Sequence, residues 1–198
     1  IDVNRPPDGA SLYPGHETTG LCPTTDFDGN PLYRPGAEPD TAEIARRRGE
    51  IWQPYHATLQ AEIDRVRGRH GYALLYDAHS IRSVVPRLFE GTLPDFNIGT
   101  NGGASCDPAI EQRVVRICAA APGYSHVLNG RFKGGHITRH YGRPADGVHA
   151  VQMELAQWRY MAEAPPFAWR DAGAASLGAV LRRVIEALLD WVPGSRPD

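Results

Sequence analysis

Five apolar and aromatic residues in a row, Tyr72-Ala73-Leu74-Leu75-Tyr76, follow Gly71 and stop at Asp77-Ala78-His79-Ser80. A continuous apolar run this short predicts a strand buried on both faces, and such strands belong to sheets covered by helices on each side. In open α/β sheets, ligands bind at the carboxyl ends of strands, where loops hold polar groups on a rigid scaffold. The polar cluster closing the run therefore makes His79 a candidate metal ligand or general base. The plainer alternative is a histidine that only caps a strand through hydrogen bonds.

Upstream, residues 4–39 are dense in turn formers, including Pro6, Pro7, Pro14, Pro23, Pro31, Pro35 and Pro39, so little regular structure is expected there. Tyr13, Leu21, Phe27, Leu32 and Tyr33 supply apolar anchors, which predicts an ordered loop; loops of this length are commonly functional. Asp40 with Glu43 forms a capping-box pattern, and Ile44, Ile51, Tyr55, Leu59, Ile63 and Val66 then recur at helical spacing until Gly68 and Gly71. Pro54 inside that pattern predicts a kink or split near Ile51–Gln53. Arg46-Arg47-Arg48 reads as a solvated helix face, because three successive helical residues point in different directions.

Downstream, Pro86–Cys106 is rich in glycine, proline and asparagine, but no phosphate-loop Lys-Ser/Thr follows its glycines. Asp107-Pro108 starts a helix with Ile110, Val114, Ile117 and Cys118 on its buried face. Ser125–Asn129 predicts a short strand and Ile137–Tyr141 a partner strand. Val148–Leu155 predicts another, with Val148, Ala150, Gln152 and Glu154 on one face. A glutamate in so apolar a strand is costly to bury unless it is paired or working. Ser176–Trp191 reads as an amphipathic helix. Strand–helix alternation predicts an α/β fold, a mixed and mostly parallel sheet flanked by helices, in a single domain over residues 1–198.

Net charge of −2, with both signs interspersed, gives no reason to expect a nucleic-acid or anionic-membrane partner. The apolar runs fall short of the ~18–20 residues of a membrane helix. Cys22, Cys106 and Cys118 are odd in number and lack zinc or disulfide-framework spacing, so a reducing cytoplasm is the expected location. The chain opens at Ile1 without Met or a signal peptide, and Ile1-Asp2-Val3 reads as the end of a strand, so sequence upstream of Ile1 is expected to be missing.

The unusual polar residues are Asn4-Arg5, Asp77, His79, Arg82, Arg131, Lys133, Arg139, His140 and Glu154. A Ser/His/Asp hydrolase of the α/β type needs a Gly-x-Ser-x-Gly elbow, and the sequence has none. A cysteine amidase would use Cys106 near a helix start, set against the simpler reading of a small buried residue. Metal-assisted hydrolysis needs a neutral imidazole, carboxylates, a base and cations for the substrate's charges, and His79, Glu154 and several arginines offer these.

These residues stand in longer stretches: Asn4-Arg5-Pro6-Pro7, Thr18-Thr19-Gly20-Leu21-Cys22-Pro23, Asp77-Ala78-His79-Ser80-Ile81-Arg82-Ser83, Leu128-Asn129-Gly130-Arg131-Phe132-Lys133-Gly134-Gly135, Ile137-Thr138-Arg139-His140-Tyr141-Gly142 and Gly147-Val148-His149-Ala150-Val151-Gln152-Met153-Glu154. In them the chain resembles the N-formylglutamate amidohydrolases, from residue 1 to about Phe167. The resemblance implies a relative of the zinc carboxypeptidases and aspartoacylases that hydrolyses N-formyl-L-glutamate to formate and glutamate in histidine degradation. It implies one zinc, with His79 as a later ligand. Glu154 would be the general base and acid, and Asn4-Arg5 the pair that holds a substrate carboxylate. Arg139 is the next candidate for substrate binding. A related zinc amidohydrolase acting on another N-acyl amino acid is the nearest alternative, and a non-catalytic short form that binds acyl-amino acids or a partner is a different one.

Two departures from the family pattern stand out. The first metal ligands of such enzymes precede the position of Ile1, and neither His16 nor His56 lies in a matching context. This chain alone is therefore expected to hold zinc weakly and to be inactive. His136 also stands where the pattern has tyrosine.

Overall fold

A computed structural model of the chain describes residues 1–13, 15 and 18–194; Pro14 and His16 lie outside these described residues. Among its described residues the long N-terminal loop has little regular structure, as expected, and uses fewer apolar anchors than the sequence offers. Leu21 is buried, whereas Phe27 and Leu32 are exposed. Ile1–Val3 pairs with no strand among the described residues; Asp2 N–H instead donates to Leu21 C=O at 2.8 Å.

Asp40 caps helix α1 (Thr41–Arg47) through its side chain, which accepts from Glu43 N–H at 2.8 Å. A π-helical turn, Arg48–Trp52, then joins α1 to α2 (Gln53–His70). The cause is Pro54, which has no N–H for the carbonyl four residues back; Gln53 N–H reaches Arg48 C=O instead. The extra residue turns the following face, so His56 and Ile63 are buried while Ile51 and Tyr55 are exposed. Arg46 and Arg47 pair with Glu43 and Glu50 on their own helix, as a solvated face does. Gly71 ends α2 in the left-handed conformation, φ 81°, which only glycine adopts cheaply.

Strand β1 (Ala73–Ile81) extends past the expected stop at Asp77, because Asp77 and His79 alternate inward with Ala78 and Ser80 outward. It is also an edge strand among the described residues, with Leu74, Leu75 and Tyr76 only partly buried. The glycine-rich segment contains a strand the sequence did not announce, β2 (Phe96–Gly99), buried at every position. Helix α3 (Pro108–Ala119) begins at Asp107, whose carboxylate accepts from Ala109 N–H at 2.7 Å. Strand β3 (His126–Leu128) follows.

The expected strand at Ile137–Tyr141 is instead helix α4 (His136–Tyr141). Ile137 and Tyr141, four residues apart, share a face in either conformation, so their spacing was ambiguous. The helix buries both against Ile63, Ala73 and Val148. Strand β4 (Val148–Ala156) and helix α5 (Asp171–Leu189) complete the chain, α5 starting five residues before Ser176.

The sheet has the order β1-β4-β2-β3. β1 and β4 are parallel, β2 and β3 are parallel, and β4 and β2 run antiparallel, so two parallel pairs meet at the centre. One face carries Val151, Met153, Phe96 and Ile98 beneath α3 and α5, whose Ile110, Val114, Val184 and Leu188 complete the main core. The opposite face packs Ala73 and Val148 against α2 and α4. The chain is thus α/β with a mixed, mostly parallel sheet flanked by helices. No described helix is long and apolar enough to cross a membrane.

Candidate active site

Strand register builds the site. His79 is the Cα partner of Glu154, and Asp77 of Gln152, across the parallel β1–β4 pair. Asn97 partners Glu154 from β2. Directly paired residues face the same way, so all five side chains stand on the face that α3 and α5 leave uncovered. This face opens into a cavity of about 280 Å³, lined by Asn4, Arg5, His79, Arg131, Gln152 and Glu154 among others. Loop residues Ser11–Tyr13 and Thr18–Leu21 form its other wall.

Glu154 is 8% exposed, and Gln152 Nε2 donates to its Oε2 at 3.4 Å. Burial disfavours its charged form and pushes its pKa up to about 7, despite the opposing charge of His79. Gln152 is held in turn, its Oε1 accepting from Gly135 N–H at 2.6 Å. A carboxyl group half-ionised near neutrality suits both accepting and returning a proton.

His79 Nε2 lies 2.7 Å from Asp77 Oδ1 and 2.9 Å from Asn4 Nδ2. An amide NH₂ accepts nothing, so a proton on Nε2 can be donated only to Asp77. Burial alone would lower the His79 pKa; the Asp77 hydrogen bond and charge, with Glu154 and Asp2, outweigh it and raise the value. Asp77 Oδ2 also accepts from Thr138 Oγ1 at 3.1 Å.

Asn4 is buried, and its Oδ1 accepts from Ile137 N–H at 2.8 Å. Gly135 makes room for it, since a Cβ there would stand 2.6 Å from the Asn4 amide. His56 fixes the adjoining backbone: its Nε2 donates to Val3 C=O at 2.8 Å, leaving Nδ1 to accept from Tyr141 OH at 2.7 Å. Burial lowers the His56 pKa, in keeping with that neutral form. Trp52 Nε1, brought inward by the π-helical turn, donates to Arg5 C=O at 2.9 Å. His56 and Trp52 are thus structural clamps that spacing alone did not reveal.

The Arg5 guanidinium donates to Thr19 C=O, Thr19 Oγ1 and Asn4 C=O at 2.7–2.9 Å and lies 3.4 Å from Asp2. Arg139 is not among the residues lining the cavity. It donates to Gly134 C=O at 2.8 Å and stacks on Tyr13, 4.9 Å from the ring centroid. The structure therefore brings His79, Glu154, Asn4 and Arg5 together but sets Arg139 behind Tyr13. Arg131, Asp77 and Gln152 belong to the cluster without having been assigned to it, and their place came from register and loop packing. Cys106 is buried, its thiol pushed up to about 12 by desolvation and then by Glu111 and Asp107, so it is a poor nucleophile.

His79 is the right donor type for zinc. Among the described residues, however, no three His, Cys, Asp or Glu side chains come together as a metal ion requires. The described residues alone do not form a complete zinc site.

A family model for N-formylglutamate amidohydrolase matches residues 1–161. The N-formylglutamate deformylase of Pseudomonas aeruginosa is 60% identical over 191 residues, covering 96% of this chain and 71% of that protein. The Pseudomonas putida N-formylglutamate deformylase is 58% identical over the same length and shares. A crystal structure of N-formylglutamate amidohydrolase from Ralstonia eutropha superimposes with a TM-score of 0.75 at 25% identity, covering 96% of this chain and 72% of that one. A site built from paired strand positions and an N-terminal Asn-Arg thus sits in a chain that belongs to the N-formylglutamate amidohydrolase family.

Proposed function

We propose that this chain carries the proton-transferring carboxylate and the substrate-binding residues for the hydrolysis of N-formyl-L-glutamate to formate and L-glutamate. The observation that carries the reading is the pairing of His79 with Glu154 across β1 and β4 in a cavity that also holds Arg5. Identity of 60% to a curated deformylase supports the same substrate.

In this reading Glu154 takes a proton from water as the water oxygen bonds to the formyl carbon. It then gives that proton to the amide nitrogen as the carbon–nitrogen bond breaks, so glutamate leaves as a neutral amine. Gln152 and the strand pairing hold the carboxyl group in place, and Asn4-Arg5 holds a substrate carboxylate in the fork geometry that arginine favours. We further propose zinc as the cofactor, with His79 as one ligand. Zinc would polarise the formyl carbonyl and acidify the attacking water. The described residues supply one ligand of its set, so the 198-residue chain by itself should hold zinc weakly and turn over little. We place the reaction in histidine degradation in the cytoplasm.

The test is formate release from N-formyl-L-glutamate, with zinc content measured alongside, in the full-length protein and its His79→Ala variant. We expect turnover that a chelator abolishes, and loss of most of the zinc in the folded variant. Full zinc occupancy in His79→Ala would remove that ligand assignment, and absence of turnover by the zinc-loaded protein would remove the reaction.

A further inference from the structure

His79 Nε2 stands between two groups that ask opposite things of it. The Asp77 carboxylate, whose Oδ1 is 2.7 Å away, only accepts hydrogen bonds, whereas Asn4 Nδ2, 2.9 Å away, only donates them. The Asn4 amide has no second way round, because its Oδ1 is committed to Ile137 N–H. With the imidazole proton on Nε2, the ring donates to Asp77 and keeps a lone pair on Nδ1. With the proton on Nδ1, Nε2 accepts from Asn4 and faces a carboxylate oxygen with no proton between them. The choice therefore depends on how firmly Asp77 is held.

Thr138, the third residue of α4 and fully buried, supplies that hold. A threonine in a helix commonly turns its hydroxyl back to the carbonyl four residues before, here Gly134 C=O. That oxygen already accepts from Tyr13 OH at 2.9 Å and Arg139 Nε at 2.8 Å, and Thr138 Oγ1 crosses instead to Asp77 Oδ2 at 3.1 Å. Asn4 Nδ2 lies 3.5 Å from the same oxygen, so the hydroxyl is its closer donor. Packing fixes the aim. Gly134 makes room for the Thr138 methyl, since a Cβ there would stand 3.0 Å from it, and a β-branched side chain is stiff at χ1. We propose that Thr138 is a positioning residue for His79: through Asp77 it keeps the imidazole proton on Nε2 and leaves the Nδ1 lone pair free. This deepens the deformylase reading and rests on it, because a bare ring nitrogen is what a histidine must offer a metal ion.

The test reads the His79 tautomer directly. Full-length protein labelled with nitrogen-15 histidine is freed of metal by a chelator and placed in mildly alkaline buffer, where the imidazole is neutral. The His79 signals, assigned with His79→Gln, then distinguish a protonated ring nitrogen from a bare one. The unaltered protein and Thr138→Ser should carry the proton on Nε2. Thr138→Val keeps the shape without the hydroxyl and should show the proton shared with, or moved to, Nδ1. Zinc affinity, measured by competition with a chelator, should fall about tenfold in Thr138→Val and stay within about threefold in Thr138→Ser. A role in packing alone gives the reverse order, because Thr138→Ser loses the methyl and Thr138→Val keeps it. A proton on Nδ1 in the unaltered protein, an unchanged tautomer in Thr138→Val, or a disturbed one in Thr138→Ser would each overturn the proposal. If Thr138→Val does not fold, Thr138→Ser decides alone. The expected tautomers in a protein that takes up no zinc would instead overturn the cofactor reading and leave Thr138 in its role.

Discussion

At the scale of single residues, Glu154 shows how a site works against the fold that holds it. A carboxyl group has its ordinary value near 4.5, and burial carries Glu154 to about 7. Below pH 4.5 both folded and unfolded chains hold the proton, and the group contributes nothing to the pH dependence. Between the two values the unfolded chain ionises while the fold keeps the proton, so stability falls as pH rises, by roughly 3 kcal/mol once pH exceeds 7. Glu154→Gln keeps the shape and removes that penalty. Urea denaturation should show the variant more stable than the original at pH 8 and equal to it at pH 4. In the active enzyme the same change should lower kcat by about 10²–10⁴, the usual consequence of losing a general base. A folded variant with near-normal kcat would end the mechanism.

At the scale of elements, the site depends on how α4 meets the N-terminal loop. Gly135 has φ −79° and ψ −167°, a conformation open to any residue, so glycine is required there by space alone. A Cβ would press on the Asn4 amide at 2.6–2.7 Å, and Asn4 in turn touches His79 and Ile137. Gly135→Ala should therefore displace Asn4 and lower kcat/KM by about 10²-fold, the scale of a 1 Å misplacement, with the fold retained. Steady-state kinetics beside a circular dichroism melt would check it, and unchanged kinetics would show that Asn4 does not position substrate. The π-helical turn acts over a similar range. By turning Trp52 and His56 inward, it ties α2 to Arg5 C=O and Val3 C=O.

At the scale of the whole molecule, Cys106 and Cys118 lie in the core shared by α3, α5 and the central strands, while Cys22 is only partly buried. Desolvation pushes both core thiols up to about 12, which leaves little thiolate at neutral pH. Iodoacetamide should thus label Cys22 in the native protein and the other two only as the core unfolds. Mass spectrometry of each cysteine peptide across a urea series checks this. Labelling of native Cys106 together with loss of activity would revive the cysteine amidase.

Much of the molecule was legible in the residues because its signals are local. The Asp40 and Asp107 caps, the break forced by Pro54 and the strand expected at Val148–Leu155 depend on neighbours within one turn or one pleat. The long motifs around His79, Arg131 and Glu154 carried the family. Local signals failed where two conformations satisfy one pattern, as at Ile137–Tyr141, or where strand character comes from burial, as at Phe96–Gly99. They also overstated the burial of Tyr72–Tyr76, of which only Ala73 is fully buried. Above all, the partnership of His79 with Glu154, the setting of Arg131 beside Arg5 and the withdrawal of Arg139 behind Tyr13 join residues distant in sequence. Strand register and loop packing fix such contacts, and both are set by long-range burial that no stretch of sequence contains by itself.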